Sequence, residues 1–272
     1  MAKGARVLLP AEHGSWSLML TPFLIGAGVA WVAGHETSGL ALTLALVAVL
    51  ALFLARQPLA AWLRARTRAP EAAAEAFRWG LAMLAVAALA GLGLLALGRG
   101  AVLWLALPAA MLLAVTLAMS SWLGPRRLAT ELAGVAGLAL AAPAAYVAGT
   151  GALDATAAGV WAISALYSGL SVVYVRLRLH QRNERVSRGE GIWVVVAHLL
   201  GGAAVLAGIR AGWLPALLAL PFGLMAARAA VAAWRNPPLE SVRRFGFTEM
   251  ALALGFAALT VIAYARASAG AL

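Results

Sequence analysis

The chain has 272 residues, of which 64% are hydrophobic and 11% charged, less than half the charged share of an ordinary soluble domain. So few charges cannot coat the water-facing surface of a chain this long, and the mean hydropathy of +0.90 points to a polytopic membrane protein. A net charge of +11 would suggest nucleic acid in a soluble protein. Here the basic residues stand in short clusters between apolar runs, the pattern that orients a chain in a bilayer. The absence of cysteine excludes disulfides, thiolate-ligated zinc, iron–sulfur clusters and thiol catalysis.

Lys3 and Arg6 precede an apolar run from Ser15 to Gly34. That run is long enough to span and has no convincing small-residue cleavage site behind it, so it reads as a retained first helix. Hydropathy marks further spans at Ser38–Arg56, Arg78–Leu97, Ala101–Trp122, Thr130–Thr150, Thr156–Arg176, Ile192–Ile209, Trp213–Val231 and Phe247–Ala265. The reading is about nine spans in a single all-α integral membrane domain, each near the length a helix needs to cross the hydrocarbon. Continuous apolarity and richness in Ala and Leu favour helices over strands. Pro215 and Pro221 interrupt the eighth span, and Pro22, Pro108 and Pro143 are expected as tolerated kinks.

An N-terminus in the cytoplasm puts every Lys and Arg of the 21 on the inner side except Arg99, Arg210 and Arg266, as the positive-inside rule requires. The expected location is the plasma (inner) membrane, with the C-terminus outside. The outer connections, such as Gly34–Thr37 and Leu97–Gly100, are short. The inner ones, Gln57–Phe77, Leu177–Gly191 and Ala232–Gly246, are expected to be long polar loops, which places any chemistry at the cytoplasmic mouth. Within the first of these, Pro70–Phe77 carries Glu71 and Glu75 at i,i+4 and reads as a surface helical turn.

Four groups of residues could carry function. Glu12 and His13 lead into Gly14-Ser15-Trp16 at the inner end of the first span. A carboxylate beside an imidazole can bind a metal, relay a proton or hold a polar head group, although two residues are not a metal site; an interfacial cap and anchor is the simpler alternative. Arg56-Gln57-Pro58 closes the second span, followed by Arg64, Arg66 and Arg68, for which lipid-phosphate contact is a sufficient account. The segment Tyr174 to Arg185 holds Arg176, Arg178, Arg182, Asn183 and Glu184. Arg178, Arg182 and Arg185 recur at i, i+4 and i+7 and can line one face, a geometry suited to phosphate or diphosphate or to anionic lipid. Finally, Glu131, His198 and Glu249 are ionisable groups within spans, where such groups usually face a partner. Glu131 lies about a turn from Arg126 and Arg127, Glu249 about a turn from Arg243 and Arg244, and His198 is expected to hydrogen-bond across helices. Gly26 with Ala30, and Ala204 with Gly208, are small-residue notches for close helix approach. No phosphate loop, dinucleotide-binding glycine pattern or Ser–His–Asp set is present in the sequence.

Glu12-His13-Gly14-Ser15-Trp16, with Thr21-Pro22-Phe23 behind it, resembles the opening of the YwiC-like membrane proteins, which begin with an E/Q-H-G-x-W signature. Arg56-Gln57-Pro58, Arg126-Arg127 with Glu131, and Ala142-Pro143-Ala144-Ala145-Tyr146 are similar to that family too. A more distant likeness is to the UbiA superfamily of intramembrane prenyltransferases. It implies nine helices, an inner N-terminus and a ligand face on the cytoplasmic side between the second and third and the sixth and seventh helices. The two Asp-rich motifs with which that superfamily holds Mg²⁺ and a prenyl diphosphate have no counterpart: Arg56-Gln57-Pro58 stands at the first and Tyr174 to Arg178 at the second. Asp154 is the lone aspartate, in an outer loop. Together the resemblances imply a bundle that binds an isoprenoid, quinone or haem-type ligand, with arginines in place of Mg²⁺ at the polar head. That head would sit among Arg56, Arg127, Arg176, Arg178 and Arg182, with Glu12 and His13 closing the mouth. Two other readings stay open: a small-molecule transporter or exporter, for which an internal repeat would be expected, and a non-catalytic assembly factor.

Overall fold

The structure, a computed structural model, describes residues 13–33, 37–67, 69–124, 126–182 and 187–269, and of His13 and Gly14 the backbone alone. In chain order the helices are α1 (His13–Val32), α2 (Gly39–Ala65), α3 (Pro70–Ala96), the 3₁₀ turn η1 (Gly100–Leu105), α4 (Ala106–Trp122), α5 (Leu128–Ala139), α6 (Ala141–Thr150), α7 (Ala155–Arg182), α8 (Arg188–Arg210), the 3₁₀ turn η2 (Ala216–Leu218), α9 (Ala219–Arg235) and α10 (Val242–Ala269). Among the described residues nine segments are long and apolar enough to cross a membrane, with η1–α4, α5–α6 and η2–α9 each counting as one. The protein is an all-helical, multi-pass membrane protein.

Three expected loops are mostly helix. α2 runs on to Ala65 and α3 begins at Pro70, α7 extends to Arg182, and α10 begins at Val242. Charged residues in these stretches do not end a helix, because a helix satisfies its own backbone in water as well as in lipid; hydropathy marks only where the apolar part stops. The same ends are capped by their own chemistry. The Ser187 hydroxyl accepts from Glu190 N–H to start α8, a role Ser fills well at a helix N-cap. At the other end Gly98 and Gly151 leave α3 and α6 with φ of 74° and 79°, a conformation that favours glycine.

Pro22 lies inside α1 and the eighth span is interrupted around Pro215, both as expected, whereas three other prolines are placed differently. Pro108 and Pro143 stand third in α4 and α6, and Pro221 third in α9, positions where the missing N–H belongs to the unpaired first turn. They begin helices and do not kink them. Only Pro22 and Pro58 lie inside helices, in α1 and α2.

Tryptophans mark the slab. Trp31, Trp104 and Trp213 are exposed near one end of the bundle and Trp122 and Trp234 near the other, as indoles collect at both membrane interfaces. Trp104 to Trp122, and Trp213 to Trp234, each span roughly 30 Å of helix, matching the hydrocarbon core. The connections rich in arginine all fall at the Trp122–Trp234 end, called the basic end below.

α1 threads the middle of the bundle, packing chiefly on α6 and α10 and also on α5 and α7. The expected notch at Gly26 and Ala30 is where it does so. A Cβ on Gly26 would stand 1.9 Å from the Ala142 carbonyl oxygen of α6, and one on Gly149 would stand 2.7 Å from the Ala30 Cβ. The largest buried cluster, including Ile25, Val29, Tyr146, Val160, Ile163, Phe222 and Phe256, surrounds this crossing. α2 and α3 form the most extensive helix pair. Leu59 packs over Gly80 and Leu44 over Gly93, so Arg56 of α2 lies about one helical turn deeper in the membrane than Trp79 of α3.

Candidate functional site

A hairpin of α2 and α3, an α4 that leans away from α3, and a glycine-bearing face of α5 leave space between them. α4 packs on α5 and α2, whereas α3 meets η1 and has no comparable contact with α4. The resulting cavity has a volume of about 570 Å³, within the usual range of ligand pockets. Along α2 it extends from Ala45 to Arg56, about 16 Å at the helical rise. Val102, Leu103 and Leu105 of η1 line its far end, and Arg56, Thr116 and Gly134 its basic end. The intervening walls are Ala, Leu, Val and Gly, with Met19 of α1 and Phe53 of α2.

Among the described residues Arg56 is the lone charged one in that lining. Its guanidinium stands 5.9 Å from the Phe53 ring centroid, a cation–π distance, and Phe53 in turn meets Trp16 of α1 edge-on at 5.1 Å. Across the cavity mouth, a Cβ on Gly134 of α5 would lie 3.4 Å from Arg56 Nη1 and 3.6 Å from Thr116 Cγ2; the glycine leaves room for the guanidinium to lie against α5. The Thr116 hydroxyl donates to the Leu112 carbonyl at 2.7 Å, so it is satisfied within its own helix. The arrangement presents an apolar sleeve with one delocalised cation at its basic end.

One turn towards the basic end from Gly134, Glu131 accepts from Arg176 Nη1 at 2.9 Å, and the same nitrogen donates to the Arg126 carbonyl at 3.0 Å. Glu131 therefore pairs with Arg176 from α7 and not with the adjacent Arg126 or Arg127; both of those are exposed. Arg178, two residues on and facing the other side of α7, is 5% exposed. It donates to Gln181 Oε1 at 2.8 Å and to the Pro237 carbonyl at 2.9 Å, while Gln181 donates to the Ala232 carbonyl at 2.7 Å. Arg178 thus ties α7 to the connection between α9 and α10. Arg182 is exposed, so it does not share a common environment with Arg178, and Arg185 lies outside the described residues. Glu12, Asn183 and Glu184 also lie outside them, as does the side chain of His13.

The intraspan groups form a second polar assembly among α7, α8, α9 and α10. Glu249 pairs with Arg228 of α9 and not with Arg243 or Arg244. The Arg228 guanidinium lies 4.6 Å from the Tyr174 ring centroid, and Tyr174 meets the His198 ring edge-on at 6.4 Å. His198 Nδ1 donates to the Val194 carbonyl of its own helix at 2.8 Å, not across helices. Deeper in the membrane, Tyr167 stacks on Phe256 at 3.8 Å, with Phe222 edge-on to both. At the α7–α8 connection, His180 contacts Glu190 at 2.7 Å, a pairing that sequence spacing did not single out.

Of the expected site residues, then, α5 brings Arg56, Glu131 and Arg176 to one neighbourhood. Arg178 faces the α9–α10 connection, and Glu249 and His198 belong to the second assembly. Gly134, Thr116 and the cavity walls escaped sequence reading because Ala, Leu, Gly and Thr in a span carry no distinguishing signal. A family model described as YwiC-like protein matches residues 9–146 of the chain, a stretch that includes every residue lining the cavity. No curated protein and no solved structure matches the chain.

Proposed function

The chain belongs to the YwiC-like protein family, and on that premise we propose that it is a membrane-embedded binding protein for an amphipathic lipid of the isoprenoid or quinone kind. The tail lies along the α2–α5 cavity and the polar head meets Arg56 at the basic end. The observation that carries this reading is the coincidence of one guanidinium with a lining that is otherwise apolar apart from Thr116, whose hydroxyl is satisfied within its own helix. A charged side chain within a span is costly and marks a functional site by default. Among the described residues no group of three His, Cys, Asp or Glu stands together to hold a metal. In this reading Arg56, with Arg176 nearby, takes the place that the resemblance to the UbiA superfamily would give to Asp-bound Mg²⁺.

The test is lipid extraction from the purified protein followed by mass spectrometry, with titration of a prenyl diphosphate in detergent. Wild-type protein is expected to release a bound amphiphile and to bind the probe without added Mg²⁺. Arg56→Ala should weaken binding about tenfold or more, the value of lost charge-assisted hydrogen bonds. Gly134→Leu, which drives a side chain against the guanidinium, should do the same with an intact fold. Binding that needs Mg²⁺, or that survives Arg56→Ala, overturns the reading.

The same reading puts the basic end in the cytoplasm and the protein in the plasma (inner) membrane. It rests on the asymmetry of Lys and Arg. Reporter fusions at Gly100 and Gly151 should report the outside and one at Ser187 the inside; any inverted result moves the mouth to the other face.

A further inference from the structure

We infer that the cavity is a blind sleeve with a side opening between α3 and α4, loaded from the leaflet at the basic end, in which the ligand's head never crosses the membrane. The inference rests on the lipid-binding reading above and names the source of the lipid. Two features of the walls carry it. First, α3 meets η1, which also packs on α4 and α6, and makes no comparable contact with α4 itself, so the two helices part towards the basic end and leave a gap on the bundle's outer face. Residues that line the cavity at this gap are themselves exposed on the outside: Leu92 and Leu95 of α3, Leu103 of η1 and Ala106 and Ala110 of α4. A hydrocarbon chain can slide in sideways there without meeting water or a charge. Second, the far end is built from Leu94, Leu95, Val102, Leu103 and Leu105. No polar group stands between Thr116 and that end, so an anionic head that moved beyond Arg56 would lose every partner in hydrocarbon, where unsatisfied polar groups are costly. The sleeve binds one leaflet's lipid and presents its head; it does not carry the head across.

Gly91 supplies the means of testing this. It lines the sleeve, and a Cβ placed on it meets nothing within 4 Å, so a large side chain there fills the sleeve without moving a helix. Gly255 of α10 is equally open and lies away from the sleeve. The protein and its Gly91→Trp and Gly255→Trp variants are reconstituted in phosphatidylcholine vesicles containing an NBD-labelled prenyl phosphate. Bound label is measured by co-purification, and transbilayer movement by dithionite bleaching. Wild type and Gly255→Trp should retain the probe equally, Gly91→Trp should retain about tenfold less, and dithionite should bleach only the outer-leaflet label in every case. Bleaching of the inner-leaflet label by wild type would show the head crossing and overturn the blind sleeve. Undiminished retention by Gly91→Trp would place the lipid elsewhere, with the same consequence. No retention by wild type is a different failure: it removes the lipid-binding reading itself and this inference with it.

Discussion

Gly26→Ala should destabilise the protein by about 3 kcal/mol or more, the upper range for overpacking a closed interface. The added methyl would stand 1.9 Å from the Ala142 carbonyl oxygen, 2.7 Å from its carbon and 3.0 Å from its Cα. All three are backbone atoms, so no rotamer change relieves the contact, and α1 or α6 must shift bodily. α1 is the helix on which α6 and α10 both pack, so the displacement reaches the centre of the buried cluster. Gly202→Ala is the control: nothing lies within 4 Å of its Cβ, and alanine is the better helix former, so its stability should equal or slightly exceed wild type. Unfolding titrated with SDS in mixed micelles reads both. A Gly26→Ala protein as stable as wild type would mean that α1 and α6 do not cross at this point.

Glu249→Ala should be the other severe substitution. Glu249 and Arg228 are 14% and 24% exposed in their side chains, and both lie within spans. Removing one partner of a buried pair leaves the other uncompensated, at about 3–5 kcal/mol. Here the stranded Arg228 keeps Tyr174 beneath it, which holds the loss towards the lower end of that range. The pair matters beyond its charge, since α10 packs closely on α1 and η2 and its basic half is joined to α7 and α9 through side chains. Glu249→Ala should therefore loosen the Val242–Phe256 half of α10 first, seen as faster hydrogen exchange there. Arg228→Met combined with Glu249→Leu should regain most of the stability, because two apolar residues replace a buried pair at little net loss. If the double variant is as unstable as the single, the pair is not what holds α10.

Neither variant is legible in the sequence to the same degree. Gly26 and Ala30 stand four apart on one helical face, so a notch can be read from spacing alone, although its partner cannot. Glu249 announces itself as a carboxylate inside a span, yet the nearest cations in sequence, Arg243 and Arg244, are not the ones it meets. Its partner Arg228 lies 21 residues away on another helix. The same holds for Glu131, whose partner Arg176 is 45 residues distant. Arg178 shows the converse: an i,i+4 pattern with Arg182 suggests a shared face, but Gln181 and the Pro237 carbonyl of the α9–α10 connection hold Arg178 while Arg182 is exposed.

Composition and hydropathy by themselves determined the membrane setting, the helical class and the number of spans, and the N-terminal signature carried the family resemblance. These are sums over contiguous residues: a run either is or is not apolar enough to replace water with lipid, and a spanning segment in lipid must satisfy its backbone within itself. Where each helix ends, which arginine meets which glutamate, and that α3 and α4 part to leave a sleeve ending on Arg56 were decided only by tertiary structure. Every span is Ala- and Leu-rich on all sides, so its sequence does not say which face meets protein and which meets lipid. That choice is made by the shape of the neighbouring helix, by a missing Cβ at Gly26 or Gly134, and by ion pairs that close only when distant segments stand side by side.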